Sequence, residues 1–207
     1  IGVSGLSNSL AWRGDPQKAA HRRAGRRRTH AFNLLEFLSG QRCTQLNAKL
    51  TSVVPGWGLD DTCVVQLEFD GGVDGLLWAS FAAPGHRNGL RFKVVGSLAS
   101  LEWCQESPET LLFTPTDGAD RIYRRGQSDN RPQTLTFTSL PAGNTEGYLE
   151  ALAVLYADFA EALDAGAQWR TATSVPLPDI HEGVRGVLLS QASLESHQQR
   201  AWVPFPR

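Results

Sequence analysis

The strongest constraint on the fold is a pair of apolar runs between residues 60 and 81. Every second residue from Cys63 to Phe69 is apolar, which is the period of a strand with one buried face. The turn-forming sequence Asp70-Gly-Gly72 leads into the second run, Leu76–Phe81, so the two runs are predicted to form a β-hairpin. An isolated hairpin is marginally stable in water, so further strands or helices must cover it.

Further short apolar runs bounded by turn residues surround this hairpin. Together with the hairpin they predict a sheet of about six or more strands, linked mostly by hairpins and therefore largely antiparallel. The runs are residues 45–54, 90–95, 101–103, 110–114 and 135–138.

Three other segments have the period of amphipathic helices. The first begins at Thr29, which can cap a helix, and ends at Gly40. The other two are residues 146–165 and 181–197. In the last segment the predicted apolar stripe consists of Val184, Val187, Leu188, Gln191 and Leu194.

Helical segments at the two ends of a run of strands predict an α+β fold. We expect one large, mostly antiparallel open sheet with helices packed on one face, and a single domain over residues 1–207. Leu76 and Trp78 should face the side opposite Leu77, so the second face of the sheet is also apolar in places. Another copy of the chain is the expected cover, which predicts a homo-oligomer.

Composition narrows the possible partners and compartments. The 20 basic and 21 acidic residues nearly cancel, which argues against nucleic acid or a membrane surface as a partner. The three cysteines lack disulfide-framework or metal-ligand spacing, so no metal site is expected and a reducing cytoplasm fits best. Asp60 and Asp61 favour a solvated turn over a metal site. The absence of methionine suggests a fragment.

Four stretches along the chain carry a resemblance to a known family. They are the helix at residues 29–40, the hairpin at 89–103, the helix entry at 141–150, and the last helix with its final strand at 178–204. Together they resemble, in order, the C-terminal domain of the Gfo/Idh/MocA oxidoreductases. The resemblance implies the substrate-binding and oligomerisation domain of an NAD(P)-dependent enzyme that oxidises a sugar or cyclitol hydroxyl.

The resemblance also implies one catalytic residue. The family's active-site helix begins Gly-Asp-(Ile/Val)-Gly-Thr-His, and the corresponding stretch here is Gly25-Arg-Arg-Arg-Thr-His30. His30 matches the catalytic histidine, and an imidazole that titrates near neutrality can accept a hydroxyl proton. Arg26 stands in place of the aspartate and cannot do the work of a carboxylate, because a guanidinium is cationic and only donates.

Four further positions are implied substrate contacts. Asn33 stands where many members carry a second aspartate and can hydrogen-bond a hydroxyl, while Asn144 replaces a common histidine. Trp12 and Arg13 lie in the first loop, where members often contact substrate.

The nucleotide half of the family's active site has no counterpart in this sequence. The Gly-x-Gly-x-x-Gly turn of the N-terminal Rossmann domain is absent, as is the family's catalytic lysine. We therefore expect the chain alone to bind no NAD or NADP and to be inactive. Two alternatives stay open, namely a non-enzymatic self-associating module whose basic loop binds a polyanion, and a non-functional remnant.

The five arginines within residues 22–28 admit three interpretations. They can be a binding patch for phosphate or an acidic partner, or a solvated loop without a role. They can also be a shifted reading frame, because codons for residues 21–28, read one base later, can encode Ile-Gly-Ala-Leu-Gly-Asp-Val-Gly, the family's loop. Since arginines at a helix N-terminus face the positive end of the dipole, we expect this loop to be disordered or displaced, with the helix starting near Thr29.

Overall fold

The computed structural model describes residues 23–56, 59–128, 130–169 and 177–206, with the backbone alone described at 23–27 and 132–133. Contacts divide the chain into two compact units. One comprises residues 1–85 and 179–207, and the other comprises residues 86–178.

The described residues form eight strands and four α-helices. The strands are β1 (Cys43–Thr51), β2 (Thr62–Phe69), β3 (Val73–Ser80), β4 (Arg91–Val95), β5 (Ala99–Cys104), β6 (Thr110–Pro115), β7 (Arg121–Arg124) and β8 (Val203–Pro204). The helices are α1 (Arg23–Ser39), α2 (Pro132–Leu135), α3 (Tyr148–Ala165) and α4 (Ile180–Gln199).

The first unit is built on a four-stranded antiparallel sheet in the order β3-β2-β1-β8. The predicted hairpin is confirmed as β2 and β3, which pair from Thr62 with Ser80 to Phe69 with Val73. Its turn places Gly71 and Gly72 at φ values of 75° and 76°. This left-handed region is one that glycine enters without steric cost, so the Gly-Gly pair fixes where the strands reverse.

Helices α1 and α4 pack against this sheet and enclose the core. The alternating residues of β2 supply one side, and Phe32 of α1 and Leu189 of α4 supply the other. The hydroxyl of Ser196 joins α4 to β1, because it accepts from the backbone N–H of Ala48 at 2.9 Å. Small residues on this side of α4 therefore let the helix approach the strand closely.

The stripe predicted for the last helix is only partly right, because Leu188 and Leu194 pack against the core while Gln191 is exposed. Val184 and Val187 are exposed, while the buried positions are Arg185, Leu189, Ser190, Ala192, Ser193 and Ser196. Arg185 and Ser196 are accommodated on the inward side because Arg185 pairs with Glu36 of α1 and Ser196 bonds to the backbone of β1. Hydrophobic periodicity alone cannot anticipate such a face.

The opposite face of the first sheet carries exposed apolar side chains, as the sequence suggested. Leu76 is 67% exposed and Trp78 is 51% exposed, although both lie within a strand. Val64 pairs with Trp78 across the β2–β3 ladder and is exposed too. We call Val64, Leu76 and Trp78 the outer apolar patch.

The second unit contains a β4-β5-β6-β7 antiparallel meander. Phe92 and Trp103, paired across β4 and β5, stack with ring centroids 5.7 Å apart. Helix α3 belongs to this unit and exposes much of its apolar surface. The exposed residues are Tyr148, Leu149, Leu155, Tyr156, Phe159 and Leu163.

The α+β class is confirmed, and three further details differ from the predictions. In the described part of the chain the strands are divided between two sheets of four, where one larger sheet was expected. Residues 135–138 are not a strand, because Pro132 starts helix α2 and a turn follows it. Helix α1 begins at Arg23 and not near Thr29, since arginine and alanine favour helix strongly enough to extend it.

None of the described helices combines the length and apolarity needed to cross a membrane.

Candidate functional site

Helix α1 carries two of the candidate site residues, His30 and Asn33. His30 and Asn33 are three residues apart and therefore lie on one side of the helix. The side chain of His30 is exposed, and that of Asn33 is partly buried. The Asn33 amide donates from Nδ2 to Oε2 of Glu182 on α4 at 2.9 Å. Asn33 is thus held from the neighbouring helix while His30 faces solvent.

The buried carboxylate of Glu36 anchors the C-terminal part of this helix. Glu36 accepts from Nε of Arg185 at 2.7 Å and from the backbone N–H of Cys43 at 2.9 Å. Arg42 adds a contact of 3.1 Å from Nη1 to Oε2 of Glu36. Because Glu36 lies one turn after Asn33, these bonds fix the rotation and height of the segment that carries the candidate site.

The guanidinium group of Arg185 lies against two aromatic rings and also makes hydrogen bonds through its nitrogens. Its guanidinium carbon lies 4.9 Å from the ring centre of Phe205 and 5.9 Å from that of Phe32. Nη1 donates to the backbone oxygen of Pro206 at 2.9 Å. The flat guanidinium therefore joins α4, α1 and the last residues of the chain, a task for which a lysine ammonium lacks the shape.

The same cluster reaches the surface through Arg42 and Glu182. Arg42 Nη2 contacts Oε1 of Glu182 at 3.1 Å, so the two oxygens of Glu182 are divided between Arg42 and Asn33. The hydrogen bond to Glu182 is the largest cause that raises the pKa of Arg42, and burial opposes it.

The arginine segment is only partly as expected. Its backbone from Arg23 is helical, so a displaced loop over these residues is the wrong prediction. Arg28 is 1% exposed, with Nη1 lying 3.5 Å from Oδ2 of Asp60. Its Nε and Nη1 atoms have no hydrogen-bond partner among the described residues. A buried guanidinium with unmet donors is costly, and the glycine of the alternative reading frame would not bury one.

The acidic pair at the start of β2 is buried, which overturns the expected solvated turn. Asp61 accepts from the backbone N–H groups of Val53 and Val54 at 2.9 Å and 2.8 Å, and from the hydroxyl of Thr62 at 2.9 Å. Asp61 therefore closes the loop between β1 and β2 by satisfying its backbone donors. Among the described residues no cluster of His, Cys, Asp or Glu can hold a metal ion.

Asn144 lies in the second unit, in the loop that leads into α3. Its Nδ2 donates to the backbone oxygen of Pro141 at 3.2 Å, so the side chain shapes its own loop. Arg125 holds that loop through Glu146, with Nη1 3.0 Å from Oε1, and through Glu109, with Nε 3.1 Å from Oε2. Trp12 and Arg13 lie outside the described residues.

Sequence reasoning missed Glu36, Glu182 and Arg185. The available signal was a charged residue on a helix face whose other residues pack into the core. Glu36 follows Phe32 by one helical turn, and Arg185 precedes Leu189 by one turn, so each falls on a buried stripe. A charged residue in such a position predicts a partner of opposite sign nearby.

Comparison with known proteins extends this picture. Residues 4–205 match the family model described as "Oxidoreductase family, C-terminal alpha/beta domain". The uncharacterized oxidoreductase YfiI of Bacillus subtilis is 29% identical over 150 residues, which are 71% of this chain and 38% of that protein.

Two solved structures of an inositol dehydrogenase homolog from Azotobacter vinelandii share the fold. The complex with NAD+ is 32% identical, with a TM-score of 0.89 over 97% of this chain and 53% of that one. The complex with NADH and myo-inositol is 33% identical, with a TM-score of 0.80 over 86% of this chain and 48% of that one. The chain thus spans about half the length of these solved relatives.

The family model covers nearly the whole chain, and the described helices and antiparallel sheets agree with the fold of these relatives. The chain belongs to the Gfo/Idh/MocA oxidoreductase family and represents its C-terminal domain.

Proposed function

We propose that this chain is the substrate-binding and oligomerisation domain of an NAD(P)-dependent oxidoreductase that acts on a sugar or cyclitol hydroxyl. The proposal rests on the placement of exposed His30 and Asn33 on the same side of helix α1. Glu36 and Arg185 hold this helix in position. A neutral imidazole can take the proton of a substrate hydroxyl, and an amide can orient a neighbouring hydroxyl.

The choice of substrate class rests on the relatives. The Azotobacter vinelandii homolog was crystallised with myo-inositol, a polyhydroxylated ring, and is 33% identical to this chain. Side chains that both donate and accept hydrogen bonds suit such a ring, because each hydroxyl can do the same. Trp12, Arg13 and Asn144 are further proposed contacts.

The described residues do not fit a dinucleotide. Every strand pair in both sheets is antiparallel, whereas the turn that holds a pyrophosphate joins a parallel strand to a helix. The proposal therefore assigns the cofactor, which would accept the hydride, to protein outside this chain. Within this chain, His30 would hold the proton and Asn33 would orient the ring.

Self-association through the outer apolar patch forms the second half of the proposal. Leu76 and Trp78 expose large apolar surfaces on a regular strand, and such surfaces usually mark an interface. A two-fold pairing would place the patch of one copy against the patch of another. A cytoplasmic location agrees with the free cysteines.

Ligand titration separates this function from the polyanion-binding alternative. We expect myo-inositol or a related polyol to bind the wild-type chain with a millimolar or tighter Kd by calorimetry, and H30A to weaken that binding. Heparin should show no salt-sensitive binding. If no polyol binds and heparin affinity falls steeply with salt, the basic segment is the functional part and the enzymatic proposal is wrong.

A further inference from the structure

The two ends of the Asn33 amide have different chemistry. Nδ2 carries two donors, whereas Oδ1 only accepts. Oε2 of the neighbouring Glu182 accepts a hydrogen bond from Nδ2 at 2.9 Å, and an ionised carboxylate can only accept. Glu182 therefore decides which end of the amide points toward it, and the opposite end points away.

The second oxygen of Glu182 is also occupied. Oε1 accepts from Nη2 of Arg42 at 3.1 Å, and Arg42 in turn contacts the buried Glu36 at 3.1 Å. Glu182 is thus held between the guanidinium of Arg42, which can only donate, and the amide of Asn33. Each oxygen of Glu182 therefore has a donor.

The Asn33 oxygen is left for another molecule. Within the described part of the chain, no group donates a hydrogen bond to Oδ1. His30 stands one turn earlier on the same side of α1 and is exposed. A ligand that meets the imidazole can therefore also meet this oxygen.

We infer that Glu182 is a positioning residue, which fixes the Asn33 amide so that its oxygen accepts a hydrogen bond from a hydroxyl of the substrate. This inference rests on the proposed function and adds a specificity rule to it. The hydroxyl next to the reacting one must act as a donor, so a ring that carries an ether or a hydrogen there binds less tightly. Arg42 supports the arrangement by holding Glu182.

Glu182→Gln gives a sharp prediction because it keeps the shape and removes the charge. Arg42 only donates, so the oxygen of the introduced amide turns to Arg42 and its NH2 group turns to Asn33. The Asn33 amide must then rotate to accept from that NH2 group, and the rotation presents its own NH2 group to the ligand. The variant therefore inverts the hydrogen-bonding character of Asn33 without emptying the site.

The test follows the Asn33 side-chain NH2 resonances of the 207-residue chain by ¹H–¹⁵N NMR, with N33A for assignment. We expect E182Q to shift these resonances and to weaken myo-inositol binding by up to about tenfold, the worth of one hydrogen bond, because the hydroxyl must then accept where it donated before. E195Q, a matched change at a more distant position of the same helix, should alter neither. The double variant N33D/E182Q restores a donor–carboxylate pair with a free acceptor and should recover affinity to within a few fold.

The outcomes are distinct. If wild type binds myo-inositol and E182Q changes neither the resonances nor the affinity, the positioning role is wrong while the proposed function stands. If E182Q weakens binding but N33D/E182Q does not recover it, Glu182 acts on the fold alone and the inference is also wrong. If wild type binds no polyol, the proposed function fails and the specificity rule fails with it, whatever the resonances do.

Discussion

Glu36 makes the polar contacts that hold helix α1 in position. Its two carboxylate oxygens accept hydrogen bonds from the guanidinium groups of Arg185 and Arg42 and from the backbone N–H of Cys43. The side chain of Glu36 is buried. Removing one partner of a buried ion pair leaves the other charge without compensation, which costs far more than the pair contributes when intact. The cluster therefore fixes position more than it adds stability.

Substitution of Glu36 by glutamine should be strongly destabilising. The amide cannot satisfy two guanidinium groups and a backbone donor at once, so the free energy of unfolding is expected to fall by about 3 kcal/mol. Urea denaturation followed by circular dichroism measures the change, with E195Q as the control. A loss below about 0.5 kcal/mol, the usual range for a surface substitution, would show that the cluster does not hold the helix.

The buried thiols predict a loss of stability at alkaline pH. Burial raises the pKa of Cys43 to about 12 from its ordinary value of 9.0, and burial also raises the pKa of Cys63. The folded chain then keeps a proton that the unfolded chain releases above about pH 9, so stability is full below about pH 9 and falls as pH rises toward about 12.

Thermal unfolding between about pH 8 and pH 11 measures this effect. We expect Tm to fall across that range in wild type and to fall less in C43A, compared at each pH. In the folded chain at about pH 8.5, iodoacetamide should modify the partly exposed Cys104 before Cys43. Equal alkylation rates at the two cysteines would contradict the account.

At the scale of elements, the strands were more predictable than the helix faces. Strand β2 alternates strictly, so its core-facing side could be assigned from the sequence alone. Helix α4 could not be oriented in this way, because its buried face contains Arg185 and several serines in place of a continuous apolar stripe. Polar contacts that depend on a partner from another element are invisible in a local pattern.

The outer apolar patch makes a prediction about strand β3. Replacing Leu76 with lysine places a charge on the surface expected to meet a second copy, so association should weaken by roughly 1.5–3 kcal/mol, the value of one buried leucine. Light scattering coupled to size-exclusion chromatography, over a range of concentrations, detects the shift toward monomer.

L98K is a matched control, because Leu98 is a highly exposed leucine in the turn between β4 and β5 of the other unit. We expect L98K to associate as wild type does. A monomeric wild-type chain at high concentration, or equal effects of L76K and L98K, would exclude the outer apolar patch as the interface.

At the scale of the whole molecule, the family could be recognised from sequence because its motifs recur in order over the full chain. The family-model match over residues 4–205 confirms that recognition. The candidate site could be predicted only in part. His30 and Asn33 followed from the motif, whereas their support by Glu182, Arg42 and Glu36 required the three-dimensional arrangement of α1 and α4.

The central proposal is that His30 belongs to a substrate site in which Arg26 stands in place of the family's catalytic aspartate. The most direct measurement joins this chain to the first half of the Azotobacter vinelandii homolog and follows NADH formation with myo-inositol. We predict low activity with Arg26, a gain of at least about tenfold in kcat for R26D, and loss of that gain in R26D/H30A. Activity that R26D leaves unchanged, or that H30A does not reduce, would contradict the account.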